Sequence, residues 1–330
     1  MKSKVNYGVL LINLGTPKAP TAPEVRQFLR EFLSDPRVVD LNPLLWKPIL
    51  NAVILTIRPP KVAKVYQLVW MEEGSPLLVY SQRLKEKVAT ALIEQNVPVE
   101  LAMTYGEPSI SDGITKLRQA GAEKILILPM YPQFSSTTTA AAYDKLMSVL
   151  KNNPHWPSLH LIHDYADHPL YIKALANSVS KQWVEQGEKR HLVFSYHGIP
   201  KRYVQNGDPY AKRCEATSQA VAELLQLEDE DWTHVYQSRF GREEWLKPYA
   251  DATIRSLPDM GIKKINVISP AFAADCIETL EEIKLELGNE FGDHGGTAFD
   301  YVPALNDGDD HVTLYLALIE ANTRQWQTIG

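Results

Sequence analysis

The chain has 330 residues, 45% of them hydrophobic and 22% charged, with a formal net charge of −6 at pH 7. This composition is typical of folded globular domains and excludes a disordered or collagen-like chain. The length exceeds what one hydrophobic core usually holds, so we expect two domains. No basic run is long enough to follow a phosphate backbone, so we expect no nucleic acid partner.

Cysteine usage and the N-terminus both favour a cytoplasmic protein. Cys214 and Cys276 are far apart and form neither a disulfide framework nor a CxxC pair, which fits a reducing compartment. Residues 1–7 run directly into an apolar stretch without a small-residue cleavage site, so we expect no signal peptide.

The most apolar segment, residues 41–57, is interrupted by prolines, a lysine and an asparagine, and it is too short to span a membrane. Two interpretations stay open. The segment is either a buried loop and helix, or a partly exposed apolar lip that touches a membrane or an apolar ligand.

Short apolar runs alternate along the chain with segments whose apolar residues have helical spacing. The runs are typical of strands buried on both faces, and the alternation predicts parallel sheets of the βαβ type. The predicted strands are residues 9–13, 99–104, 125–128, 160–163, 192–195, 234–237, 265–268 and 299–302. The clearest helical segments are residues 80–93, 218–225 and 310–326.

The two halves of the chain also resemble each other. GVLLINLGTP at residues 8–17 matches HLVFSYHGIP at 191–200, and KILILPMYPQFSSTT at 124–138 matches KINVISPAFAADCIET at 264–279. This repeat predicts two similar Rossmann-like domains, each with a parallel sheet flanked by helices.

We place the first domain at residues 1–166, with an insertion around residues 40–76, and the second at residues 167–308. A helix at residues 309–330 could join either domain. Because ligands of open α/β sheets bind beyond the carboxyl ends of the strands, we expect an active cleft between the two domains.

His197 stands at the end of an apolar strand, where Gly198 and Pro200 turn the chain. An imidazole in that position can accept protons near neutral pH, although it could equally be a histidine that is only hydrogen-bonded within its loop. After the first strand, by contrast, Gly15 and Pro17 do not make a GxGxxG cradle, so nucleotide binding is disfavoured.

Glu278, Glu282 and Glu286 recur every four residues and would form one stripe of carboxylates on a helix. Such a stripe costs roughly 0.2 to 0.5 kcal/mol per like-charged pair unless a cation is near, and oxygen ligands suit a divalent cation. The alternative is structural, with Asp275 as helix N-cap and Glu278 as its capping-box partner. Similarly, the hydroxyl-rich loop at residues 131–139 could bind an anion or merely cap a helix.

The segment LVFSYHGIPKRYVQNGDPY at residues 192–210 resembles the signature of the ferrochelatase family. Further blocks occur in the family's order: NLGTP at Asn13, GSP at Gly74, YPQFSSTT at Tyr131, QSRFG at Gln237 and PAFAADCIETLEE at Pro270. Together they cover nearly the whole chain. The resemblance implies a chelatase-like α/β fold and a lyase that inserts Fe²⁺ into protoporphyrin IX to give protohaem, the last step of haem biosynthesis, without an organic cofactor.

The resemblance also implies the site residues. His197 matches the active-site histidine, interpreted as the proton acceptor, and Glu278 matches its partner carboxylate, although the reverse assignment stays open. Glu282 and Glu286 match an acidic row that guides metal or protons, so that the expected metal contacts are His197, Glu278, Glu282 and Glu286. The positions expected to line the porphyrin are Leu14, Tyr105, Ser135, Trp245 and Phe272.

Some residues depart from the family pattern. Cys276 lies where some relatives have a second histidine, and Thr104 lies where many have an arginine that contacts a porphyrin propionate. Two cysteines are too few for the four-thiolate iron–sulfur cluster of some relatives, so we expect none. Leu14, in place of the tyrosine of coproporphyrin-type chelatases, favours protoporphyrin IX.

Three alternatives remain: a chelatase for another metal or tetrapyrrole, such as a cobalt-inserting sirohydrochlorin enzyme, a non-catalytic tetrapyrrole or haem carrier, and a two-domain glycosyl transferase. The expected partners are protoporphyrin IX and Fe²⁺. We expect a monomer in the cytoplasm, with peripheral contact to the inner membrane through residues 41–57.

Overall fold

A computed structural model of the chain describes residues 6–151, 153–241 and 243–327. The described residues form two compact units, each with its own four-stranded parallel sheet. The first unit comprises the chain up to Tyr131, Ser136–His163 and the chain from Asp307 onward, and the second comprises Pro132–Ser135 and Asp164–Asn306.

These units depart from the predicted domain limits in small ways. The chain passes to the second unit at Asp164, three residues before the predicted second domain begins at residue 167, and the short segment Pro132–Ser135 also belongs there. The C-terminal helix, which the sequence left unassigned, belongs to the first unit.

The strands in chain order are β1 (Tyr7–Gly15), β2 (Val99–Tyr105), β3 (Lys124–Pro129), β4 (Ser158–Leu161), β5 (His191–His197), β6 (Trp232–Gln237), β7 (Lys264–Ile268) and β8 (Ala298–Val302). The α-helices are α1 (Ala22–Ser34), α2 (Pro43–Ile49), α3 (Leu55–Val69), α4 (Pro76–Ala91), α5 (Ile110–Gln119), α6 (Thr139–Leu150), α7 (Pro169–Gln186), α8 (Lys201–Gln205), α9 (Tyr210–Leu224), α10 (Ala250–Ser256), α11 (Gly288–Asp293) and α12 (Asp309–Gln327). π-Helical segments occupy Leu50–Ile54 and Glu278–Leu287, and 3₁₀ turns occupy Ile93–Gln95 and Asp229–Asp231.

The two sheets share one topology. Their strand orders are β2-β1-β3-β4 and β6-β5-β7-β8, so the second repeats the first with each number raised by four. The central strands β1 and β5 are buried on both faces because helices cover them, which is why their sequences are almost continuously apolar. Seven of the eight predicted strands lie within observed strands of the described chain, and the internal repeat is confirmed; the fourth strand is shifted, at Ser158–Leu161 and not at residues 160–163.

The carboxyl ends of parallel strands meet at one edge of each sheet. In the first unit the edge includes Gly15, whose φ is +116°, and a Cβ there would lie 1.8 Å from the carbonyl oxygen of Tyr105. Only glycine allows β1 to end so close to β2. In the second unit the corresponding edge includes His197, at the end of β5.

The segment 41–57 forms α2, the first π-helical segment and the start of α3. Leu50 and Leu55 within it are buried, but most of its apolar side chains lie on the surface. They are spaced at helical intervals and form an apolar face of Leu41, Leu44, Leu45, Ile49, Val53 and Ile57. This exposure agrees with a lip and not with a buried helix. No helix in the described ranges is long and apolar enough to cross a membrane.

Candidate functional site

His197 lies half-buried at the carboxyl end of β5. Its Nδ1 atom is 2.7 Å from the carbonyl oxygen of Gly198. A carbonyl oxygen only accepts, so this contact assigns the ring proton of the neutral imidazole to Nδ1 and leaves a lone pair on Nε2. The side chain is thus held in the tautomer that can take up a proton or bind a metal through Nε2.

The residue after the histidine has to be glycine for steric reasons. A Cβ at Gly198 would lie 2.8 Å from the carbonyl oxygen of Gln237 and 3.2 Å from a ring carbon of Trp245. The close approach allows the N–H of Gly198 to donate to that same carbonyl. The turn after β5 is therefore fixed against the end of β6.

Two aromatic side chains predicted to contact a porphyrin accompany His197. The Phe272 ring centroid lies 6.5 Å from that of the imidazole. Trp245 lies beside Gly198, and its indole N–H donates to the carbonyl oxygen of Phe240. Both rings are half-buried and leave apolar surface at this edge of the sheet, which is suited to a flat aromatic ligand.

The predicted stripe of carboxylates lies on a π-helix, Glu278–Leu287. Hydrogen bonds in a π-helix run from residue i to i+5; such segments are rare, and those that occur are frequently at functional sites. Glu278 and Glu282 are half-buried and Glu286 is exposed. The row therefore leads from the partly buried start of the helix towards solvent.

Glu282 is electrostatically linked to both principal site residues. Burial raises the pKa of its carboxyl group and the charge of Glu278 raises it further, whereas the hydrogen bonds from Ser238 and Gln237 and the charge of His197 lower it. His197, Glu278 and Glu282 therefore share one electrostatic environment at this edge.

The structural alternative for this segment, a capping box of Asp275 and Glu278, is not found among the described residues. The N-cap position is Ile277, and no side chain caps the helix. The buried Asp275 carboxylate instead accepts hydrogen bonds from Thr279 Oγ1 at 3.0 Å, Tyr301 OH at 2.7 Å and Asn306 Nδ2 at 2.7 Å. Asp275 therefore fastens the start of the π-helix to β8 and the loop that follows it.

We expect Asp275→Asn to lower the melting temperature by roughly 4–8 °C, because the new amide cannot accept all the bonds that the buried donors offer. Differential scanning calorimetry would measure the shift. Asp293→Asn, a matched change of an exposed residue in α11, is expected to leave the melting temperature unchanged. An unchanged midpoint for Asp275→Asn would contradict the anchoring role.

Cys276 is buried, and its thiol is kept neutral. Burial raises its pKa well above the usual value, and the neighbouring Glu278 carboxylate raises it further. A thiol of this kind is a poor metal ligand, because metals bind the thiolate. In the described residues, no group of three or more His, Cys, Asp or Glu side chains is arranged to hold a metal ion.

The other predicted porphyrin contacts are less accessible. Tyr105 is 2% exposed and its hydroxyl donates to Asp35, while Ser135 is 1% exposed and its hydroxyl donates to Asp208. Leu14, near the end of β1, is half-buried. Thr104 is buried, and its hydroxyl donates to the carbonyl oxygen of Asn13.

The hydroxyl-rich loop was predicted either to cap a helix or to bind an anion. Thr138 is the N-cap of α6, but its side chain makes no capping bond within the described structure. The hydroxyls of Thr138 and Thr139 are buried without a hydrogen-bond partner among the described residues. The Thr138 side chain therefore does not cap α6, and the choice between capping and anion binding by the loop as a whole stays a prediction.

Sequence reasoning did not identify the polar residues that contact the carboxylate row. Ser238 Oγ donates to Glu282, and Gln237 Nε2 lies 3.3 Å from the same carboxylate. Ser195 Oγ in turn donates to Gln237 Oε1 at 2.8 Å. Their position in the sequence could have indicated them, because all three lie at or near the carboxyl ends of β5 and β6, where ligands of parallel sheets bind.

Comparison with known proteins gives a consistent result. Residues 6–323 match the model of the family described as Ferrochelatase. A protein named Ferrochelatase from a Marinomonas species is 72% identical over 329 residues, 99% of this chain and 100% of the relative. A Ferrochelatase from Photobacterium profundum is 52% identical over 321 residues, 97% of this chain and 99% of the relative.

Solved structures with low sequence identity share the fold. SirB from Bacillus subtilis, solved with Fe³⁺, has a TM-score of 0.58 at 12% identity and covers 98% of both chains. CbiX, described as the terminal enzyme of sirohaem biosynthesis in denitrifying bacteria, has a TM-score of 0.52 at 12% identity over 95% of this chain and 98% of its own. These likenesses, with the two parallel sheets, confirm the predicted chelatase-like α/β fold.

Proposed function

Since the chain belongs to the ferrochelatase family, we propose that it inserts Fe²⁺ into protoporphyrin IX, with His197 as proton acceptor and the Glu278 row as the path of metal or protons. Membership makes the protein a metal chelatase of the lyase class that acts in haem synthesis. The observation that most directly supports the finer proposal is the pairing, at one sheet edge, of an imidazole with a free Nε2 and a row of carboxylates.

The reaction needs a base because two pyrrole N–H protons leave the macrocycle as Fe²⁺ enters it. A neutral imidazole accepts only one proton through Nε2. The first pyrrole proton therefore has to leave His197 before the imidazole can accept the second. The raised pKa of Glu282 lets this carboxyl group hold a proton closer to neutral pH than an exposed glutamate would. The exposed Glu286 then provides contact with solvent.

The metal is a substrate and has to be released into the porphyrin. The row offers hard oxygen ligands one after another, from Glu278, Glu282 and Glu286. A single carboxylate releases a divalent cation more readily than a closed site with three or four ligands does. We therefore propose that Fe²⁺ is guided by these side chains and by His197. The neutral thiol of Cys276 takes no part as a ligand in this scheme.

Porphyrin binding is proposed to use the aromatic surfaces at the same edge. Phe272 and Trp245 present ring faces on which a flat macrocycle can pack. A rigid protein surface that holds the macrocycle puckered would expose its nitrogen lone pairs, using binding energy to lower the barrier of insertion. Leu14 and Tyr105 in the first unit, and the buried Ser135, remain predicted contacts.

The direct test is an anaerobic assay in which protoporphyrin IX fluorescence is followed after Fe²⁺ is added. We expect a rapid enzyme-dependent loss of fluorescence, and slower turnover of coproporphyrin III under the same conditions. Porphyrin binding without insertion of Fe²⁺ or Zn²⁺ would favour a carrier instead. Efficient insertion of Co²⁺ into sirohydrochlorin, with none of Fe²⁺ into protoporphyrin, would favour the other chelatase class.

The apolar face on α2 and α3 is proposed to give peripheral contact with the membrane. Leu44 and Leu45 are 83% and 69% exposed, so replacing both by serine removes apolar surface without disturbing a core. We expect the parent protein to float with vesicles of phosphatidylethanolamine and phosphatidylglycerol, and the double variant to float several-fold less. Serines at the exposed Val184 and Leu224 are the matched control. Equal flotation of the parent and the double variant would contradict membrane contact through this face.

A further inference from the structure

The end of β6 contacts the π-helix through two adjacent polar residues. Ser238 Oγ donates to Oε2 of Glu282. Gln237 Nε2 lies 3.3 Å from the same carboxylate oxygen and 3.4 Å from the carbonyl oxygen of Glu278. One amide therefore contacts the backbone of the first carboxylate residue and the side chain of the second.

The amide of Gln237 is itself oriented by its neighbours. Ser195 Oγ on β5 donates to Gln237 Oε1 at 2.8 Å, which directs Nε2 towards the π-helix. Ser195 and Gln237 are both almost completely buried, so neither side chain can easily rotate. The Glu282 carboxylate thus receives two donors whose positions are set by the sheet.

Ser238 has an unusual backbone conformation. Its φ is +64°, in the left-handed region that residues other than glycine and asparagine rarely adopt. Such a conformation persists only when the surrounding structure determines it, and it occurs most often at functional sites. Here it places the Ser238 hydroxyl on Glu282.

We propose that Ser238, supported by Gln237, is a positioning residue that holds the Glu282 carboxylate beside Glu278 and His197. The inference rests on the proposed function of the carboxylate row and adds to it. In this arrangement the carboxylate of Glu282, the middle one of the row, keeps one orientation while a cation or a proton is transferred along the row. A freely rotating Glu282 would point away from its neighbours for part of the time and slow that transfer.

Ser238→Gly is the informative variant because glycine accepts the positive φ while the CH₂OH side chain, and with it the hydroxyl donor, is removed. Loss of a hydrogen bond to a charged group predicts that kcat/KM for Fe²⁺ falls about tenfold. The loss is expected mainly in the KM for Fe²⁺, with the Kd for protoporphyrin IX unchanged. Ser238→Asn, which tolerates the same φ and supplies an amide donor, is expected to recover most of the activity. Gln226→Gly, at a second positive-φ position of the same unit that is exposed to solvent, is the control and should match the parent.

A double-mutant cycle with Glu282→Gln distinguishes the possible failures. If Ser238 acts through Glu282, then adding Ser238→Gly to Glu282→Gln causes no further loss. Two outcomes would overturn the positioning role and leave the proposed row intact. One is that the losses of the two variants multiply independently in the double variant. The other is that Ser238→Gly is as active as the parent while Glu282→Gln is impaired. An unimpaired Glu282→Gln protein would instead overturn the row itself, and the inference with it.

Discussion

Replacing His197 by alanine is expected to lower kcat for Fe²⁺ insertion by about 10²–10⁴-fold, the usual range for loss of a general base. The physical reason is the tautomer: with Nδ1 bonded to the carbonyl of Gly198, Nε2 is the ring atom with a lone pair. The Kd for protoporphyrin IX, measured by fluorescence quenching of the protein, should change only a few-fold, because Phe272 and Trp245 remain.

Exogenous imidazole gives a further test of the His197 role. It should restore part of the activity of His197→Ala if the lost group is a base, and the recovery should increase with the fraction of neutral imidazole. His294→Ala, which removes an exposed histidine of the same unit, is the control and is expected to behave like the parent. A His197→Ala enzyme with a normal kcat would assign the proton acceptor elsewhere, with Glu278 the first candidate.

The fold could be predicted because the strands carry their own signal. A parallel strand covered by helices on both faces is apolar along its whole length, and β1, β3 and β5 show such runs. The predicted strands were too short where a polar residue begins or ends the strand. His197 is an example, since it is the last residue of β5 although the predicted strand ended at residue 195.

The type of helix that carries the carboxylates could not be predicted. A spacing of four residues places Glu278, Glu282 and Glu286 on one face of an α-helix, and approximately on one face of a π-helix as well. The start of the helix is also held by tertiary contacts, since Asp275 bonds there to Tyr301 and Asn306 from distant parts of the sequence. Sequence periodicity does not report such contacts.

The candidate site residues were predicted on different grounds, some from their position after a strand and others from the resemblance alone. His197 and Glu278 became candidates because they follow strands whose carboxyl ends form the ligand edge, and their roles, which come from the resemblance, stay predictions. Tyr105 and Ser135 were carried over from the resemblance alone, and the structure shows both hydroxyls already bonded within the protein. Ser238 was not predicted, because neither a positive φ nor a bond to Glu282 has a sequence pattern, and its position directly after β6 was the one signal it offered.

Replacing Glu278 by glutamine is expected to reduce kcat for Fe²⁺ insertion by about 10²-fold, because the amide has nearly the same shape but neither binds a cation as a carboxylate does nor accepts a proton near neutral pH. The fold should be preserved, since the amide keeps an oxygen that can accept from the Cys276 thiol.

Glu281→Gln is the matched control for Glu278→Gln, because Glu281 lies outside the row on the same π-helix and, through the charges of Glu286 and Glu282, tests for a general effect of removing one nearby charge. Stopped-flow fluorescence under anaerobic conditions separates porphyrin binding from metal insertion for both variants. If the role of Glu278 is to guide the metal, raising the Fe²⁺ concentration should recover part of the lost rate. If its role is to carry protons, the deficit should persist at saturating Fe²⁺ and produce a larger solvent deuterium isotope effect. A Glu278→Gln enzyme indistinguishable from the Glu281→Gln enzyme would contradict both roles of Glu278.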